Sequence, residues 1–256
     1  MTTYALYREP VVLDRVAHRA LRMSPLTDFS VAKGMHASYL AAAEFMPATR
    51  EMVVVFVRND TANTNTTEAE TEPRPVSPVV MMGLKEGENL FVDGEQWSAH
   101  YKPAYLRRYP FWTARLAGAD GPTVLIDIGW SGFSETVGES LFDATGEPTA
   151  ALKAALAFVE DFEREGARTQ AFCTRLTELD LLREMQASVK LAEGEALSLS
   201  GFLVVDQDKL QALPDAAVLE LHRTGMLGLI HQHFASLANL QALVDRKDRR
   251  MRAVAA

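Results

Sequence analysis

The stretch "MVVVFV", residues 52–57, decides how this chain folds. Every residue in it is apolar, and most are β-branched valines. No polar residue alternates with them, so the pattern predicts a strand buried on both faces rather than a half-exposed one. Upstream, "LAAAEF" (40–45) reads as a helix or helical turn that Pro47 interrupts or restarts. Further back, "PVVLDRVAHRALRMSP" (10–25) begins with a short β-rich run and is closed by Pro25.

Downstream, "RNDTANTNTTEAETEPRPVSP" (58–78) is Thr, Asn, Glu and Pro with almost nothing apolar. Burial cannot offset its ordering, so it is expected to be a mobile surface loop between two sheet strands. "VVMMGL" (79–84) and "ENLFV" (88–92), separated by "KEG", predict a hairpin. "TVLIDI" (123–128) follows a "GADGP" turn and reads as another buried strand.

After Glu147-Pro148 the period changes. Leu152, Leu156, Val159, Phe162, Phe172, Leu176 and Leu179 fall at helical spacings, with Thr149 as N-cap and Gly166 marking a bend or break. "ASVKLAEGEALSLSGFLVVD" (187–206) predicts a hairpin around Gly194. "QDKLQAL" and "PDAAVLELHRTG" read as short helices, the second opened by Pro214 and stopped by Gly225. "MLGLIHQHFASLANLQALVDRKDRRMR" (226–252) predicts one last amphipathic helix with a basic end. Strands come first and helices later. The expectation is α+β: a mostly antiparallel sheet from a sheet-rich half (1–146), packed against a helix-rich half (147–256) with one late β-hairpin, as one domain. Regular βαβ alternation and a Gly-rich phosphate loop are missing, which argues against Rossmann and P-loop folds.

The chain has 256 residues and a formal net charge of -8. An acidic surface repels phosphate backbones, so no nucleic-acid partner is expected. No stretch approaches the roughly 18 apolar residues of a membrane span, and the N-terminus shows no classical signal peptide. The expected location is the cytoplasm, with non-classical export and homo-oligomerisation left open. Cys173 is the single cysteine, read as a small apolar helix residue.

No cofactor and no metal site is predicted. His18, His36, His100, His222, His231 and His233 show none of the paired spacings of metal ligands. The imidazoles of "HQH" (231–233) point about 200° apart on a helix. Asp127, Glu135, Glu139 and Asp143 cluster in a Gly- and Ser-rich stretch. They could do acid/base work if their pKa values were pushed apart; otherwise they cap turns. "GWSG" lacks the second spacer of a nucleophile elbow, so Ser131 is no triad serine.

The remaining dense cluster is "WSAHYKPAYLRRYPFW" (97–112). Tyr101, Tyr105, Tyr109, Phe111 and Trp112 carry large apolar area with polar tips. Arg107 and Arg108 are adjacent and must diverge. One of them is expected to pair with Glu135 or Glu139 and join the two halves. Two readings stay open: a buried aromatic and arginine joint, or a contact surface for a ligand or partner. The binding candidates are Tyr101, Tyr105, Arg107, Arg108, Tyr109, Trp112, Glu135 and Glu139.

Several segments, in order, resemble the SapC family of bacterial proteins: "LAAAEF" with "VVVFV", "GLKEGENLFVDGEQW", "YKPAYLRRYPF", "SETVGESLFDATGEPT", "LTELDLL" and "LSLSGFLVVDQDKLQALPDAAVLELHRTGMLGLIHQHFASLANLQ". The Thr/Asn-rich segment departs from that pattern like an insertion. The resemblance implies association with bacterial surface-layer genes and, in other bacteria, a place beside flavin-dependent halogenase and outer-membrane receptor genes. It carries over no catalytic residue. The leading expectation is an accessory protein that binds a protein or peptide partner through the aromatic and arginine region. The alternative is an enzyme of unrecognised type, using carboxylates of 127–143 with Arg107 or Arg108 on a polar small molecule or peptide.

Overall fold

The computed structural model of the chain describes residues 6–59, 74–118, 121–192, 194 and 196–255. Its architecture is α+β with antiparallel sheets and helices gathered in the C-terminal half. The "MVVVFV" stretch forms the strand Val53–Arg58 in a five-stranded sheet. Val53–Arg58 lies between Val76–Met81 on one side and Ala196–Val205 on the other; Leu182–Lys190 and Ala37–Tyr39 take the two edges. Val53 to Phe56 are all buried, as an unbroken apolar run requires. The hairpin around Gly194 forms as the spacing predicts, pairing Leu182 with Val205 through Lys190 with Ala196.

A second, three-stranded sheet pairs Phe111–Arg115 with Pro122–Asp127, and the latter with Pro10–Val12. One helix serves both sheets. Ala150–Glu178 runs 29 residues, with the Thr149 hydroxyl accepting from the Leu152 amide at its start. Leu152 and Val159 pack with Phe111, Ile126 and Leu141 of the smaller core. Phe172, Cys173 and Leu176 belong to the larger core, where the Phe172 ring lies 6.1 Å from those of Phe45 and Phe56. Cys173 is buried there, and desolvation pushes its thiol up to about 12.

Several elements differ from expectation. Gly166 causes no break: the helix continues through it, held by the buried residues Phe162 and Thr169 on either side, and a Cβ there would lie 3.9 Å from the Tyr39 hydroxyl. "ENLFV" does not form a hairpin with "VVMMGL". Asn89, fully buried, turns the chain by accepting from the Phe91 amide and donating to the Ala32 carbonyl. Val92–Asp93 then pairs with Gln96–Trp97. The last predicted helix is two, Met226–Ser236 and Asn239–Ala255. At the junction the Asn239 amide donates to the carbonyls of Thr49 and Met52. The basic residues near the end of the second helix do more than face its dipole. Arg250 donates to the carbonyls of Asn89 and Val92, Lys247 pairs with Glu88, and Arg246 lies 4.3 Å from the Phe91 ring centre. Of the predicted loop 58–78, Arg58 and Val76–Pro78 belong to paired strands, while residues 60–73 lie outside the described residues.

Candidate functional site

The aromatic stretch is pinned by carboxylates from three places in the chain. Glu44, buried within "LAAAEF", accepts from the Tyr101 hydroxyl at 2.6 Å, the Ala104 amide at 2.6 Å and the Ala41 amide at 2.9 Å. Glu51 accepts from the Tyr101 amide at 2.6 Å. Asp127, fully buried, accepts from the amides of Arg8 and Glu9 and from the Tyr109 hydroxyl at 2.8 Å. Burial, reinforced by these carboxylates, holds the Tyr101 and Tyr109 phenols well above their ordinary pKa.

The arginines diverge as adjacent residues must. Arg108 is drawn against the long helix, its guanidinium 4.5 Å from the ring centres of both Tyr105 and Phe162. Its ionic partner is Glu163 at 3.4 Å, neither Glu135 nor Glu139. The helix docks its Phe162–Glu163 segment on this stretch, while Glu135 lies at a bend and Glu139 in the short strand Glu139–Ser140. Arg107 is exposed. It donates to the Lys102 carbonyl and lies 5.0 Å from the Phe158 ring centre.

Beside these residues opens a cleft of about 400 Å³. The buried residues Tyr109, Phe111 and Trp130 form its floor. Ala151, Ala154, Ala155 and Phe158, at helical spacing on one face of the long helix, form one side; Met23 to Leu26 face them. Arg107, Arg108 and Glu139 also line it. Two glycines of the "GWSG" and "TVGES" segments shape it. A Cβ on Gly132 would stand 2.2 Å from the Trp130 ring, and one on Gly138, whose φ is +100°, would stand 2.5 Å from the Met23 carbonyl oxygen.

The cleft thus collects Arg107, Arg108, Tyr109 and Glu139 from the sequence candidates. It does not collect the others. Tyr101 and Tyr105 lie against the arginines, Trp112 packs tilted on Tyr7 with ring centres 3.9 Å apart, and Glu135 is exposed at a bend. Asp143 is exposed and occupied by its own turn: the Thr145 hydroxyl and the amides of Glu147 and Thr145 hold its carboxyl below the usual range. Sequence reasoning missed Glu44, Glu163 and the alanine face. The signals were present as a lone carboxylate in an Ala-rich apolar run, and as alanines three and four residues apart around Phe158. Among the described residues no group of three or more His, Cys, Asp or Glu could hold a metal ion, and no helix is long and apolar enough to cross a membrane.

Fold and cleft together define an α+β protein in which one spanning helix joins two antiparallel sheets and walls a cationic-edged apolar groove. The family model for SapC matches residues 13–243, and the chain belongs to the SapC family. No curated protein and no solved structure matches it.

Proposed function

We propose that this SapC-family protein is a cytoplasmic accessory protein, not an enzyme, that binds a protein or peptide partner in the cleft beside Arg107 and Arg108. The observation that carries this reading is the cleft itself: an apolar floor and alanine face edged by guanidinium groups, the combination by which interfaces anchor a partner's side chain. The enzymatic alternative needs a carboxylate free to move a proton. Asp127 is buried with three donors on its oxygens, Asp143 is held in its turn, and Glu135 stands outside. Glu139 alone remains for that role.

Selection of random peptides on the wild-type protein, counter-screened on Ala154→Phe, tests the reading. Ala154 is exposed, so phenylalanine there fills the groove without disturbing the core. Binders that the variant loses are expected. Binders that it retains, or none at all, would count against the cleft as a partner site.

A further inference from the structure

Arg108 carries a donor that the fold leaves unused. Its side chain is 9 % exposed, yet Nε is buried without a hydrogen-bond partner, and its one ion pair among the described residues, to Glu163, is long at 3.4 Å. A guanidinium presents donors in a fixed fork suited to a carboxylate, and leaving one buried and unmet costs free energy that a ligand can recover. Arg107, on the same cleft, has no carboxylate partner among the described residues. Two cations therefore border a groove in a protein whose net charge is -8.

The groove is small. At about 400 Å³ it lies near the lower end of the range for ligand cavities. A site of that size suits a single end residue of an extended chain. Ala151, Ala154 and Ala155 leave room for an apolar side chain against the helix backbone.

We propose that the cleft binds the C-terminal residue of a partner polypeptide, its apolar side chain on the Ala151–Phe158 face and its carboxylate on Arg107 and Arg108. This rests on the peptide-binding reading above and names the chemistry of the partner. A C-terminal residue carries carboxylate and side chain on one Cα, so both fit a short groove. An internal Asp or Glu would need chain leaving at both ends. Glu139, also on the cleft, disfavours a second negative charge, so a lone terminal carboxylate suits the site better than an acidic run.

The test uses the full-length protein and fluorescein-labelled short peptides ending in Leu, Phe, Met or Val, each as free acid and as C-terminal amide. A third set places the same apolar residue internally beside a Glu. Fluorescence anisotropy should show saturable binding of at least one free acid, with its amide and internal counterparts weaker by about tenfold or more. Arg107→Gln, at an exposed position, should remove that preference, and Ala154→Phe should abolish binding. Equal binding of acid and amide overturns the carboxylate proposal while leaving peptide binding in the cleft intact. Binding that survives Ala154→Phe overturns both. If no free acid binds up to roughly 1 mM, the weakest affinity of interest, the C-terminal proposal is wrong; peptides selected at random and lost on Ala154→Phe would still support the broader reading.

Discussion

The imidazole of His233 bonds the carbonyl of Val54 at 2.9 Å and, through its other nitrogen, receives the amide of Val205 at 3.1 Å. A backbone amide can only donate, so Nε2 carries the lone pair and Nδ1–H donates to Val54. These strands pair directly at Leu203 with Phe56, and His233 bridges them where that pairing ends. The neighbouring Ser236 hydroxyl accepts from the Val54 amide. A helix thus supplies, from the side, hydrogen bonds that a sheet ladder would otherwise make. Replacing His233 with Ala leaves the buried Val205 amide unmet, leaves the Val54 carbonyl only the Ser236 hydroxyl at 3.5 Å, and opens a cavity. We expect a loss of about 3 kcal/mol or more in urea unfolding at neutral pH.

The same histidine predicts acid sensitivity. Desolvation pushes its pKa down from 6.5 to about 4. Between those values the unfolded chain binds a proton that the folded chain does not, so stability falls as pH falls through this window. The full effect is roughly 3 kcal/mol below it. His36 is shifted the same way by burial, so the informative quantity is the difference between wild type and His233→Gln. The variant should start less stable at pH 7 and lose less on acidification. Parallel losses in the two proteins would assign the acid response elsewhere.

The two arginines should respond unequally to alanine. Arg108 lies between two aromatic rings with a side chain 9 % exposed, whereas Arg107 is exposed. Arg108→Ala removes packing and both cation–π contacts, an expected cost of about 2 kcal/mol. Arg107→Ala should cost less than about 1 kcal/mol. Glu163 is half exposed, so Glu163→Gln should change stability by less than about 1 kcal/mol. Chemical denaturation of the three variants decides the order.

Glu44 is expected to be among the most sensitive positions. Glu44→Ala would strand the amides of Ala41 and Ala104 and the Tyr101 hydroxyl, all of which donate to it. A cost of about 3 kcal/mol or more follows, together with loosening of the aromatic stretch, which the fluorescence of Trp97 should report through its bond to the Tyr101 carbonyl. Unchanged fluorescence and stability would show that the stretch is held by its apolar contacts alone.

Alkali should act through the tyrosines. Tyr7, Tyr101 and Tyr109 are all raised above the ordinary value of 10.0, each mainly by burial. The unfolded chain ionises first as pH rises past 10, so stability is full below that pH and is lost above it. Ultraviolet titration should show these phenols ionising with unfolding rather than before it.

Much of the fold follows from local periodicity. An unbroken apolar run made the central strand, alternation around Gly194 made the late hairpin, and Thr149 with its heptad-like apolar spacing made the long helix. Residues 52–57 needed no information beyond their neighbours, because burial on both faces leaves no polar position to confuse the pattern. The order of strands and helices likewise sufficed for an α+β assignment, and the ordered motifs for the family.

What tertiary structure alone decided is which side chains meet. Arg108 finds Glu163, 55 residues away, because the helix rotates Phe158, Phe162 and Glu163 toward the aromatic stretch. Spacing along the chain sets the faces of an element but not which face another element presents to it. The sequence pointed to Glu135 and Glu139 by charge and proximity in the chain. The fold placed Glu139 on the cleft without a bond to either arginine and left Glu135 at a bend. The amphipathic stretch 226–252 likewise reads as one helix, yet Asn239 is drawn to the carbonyls of Thr49 and Met52 and the helix divides there. In each case a long-range contact outweighs a local preference worth a fraction of a kcal/mol per residue, and that contact exists only once the sheets and the spanning helix have docked.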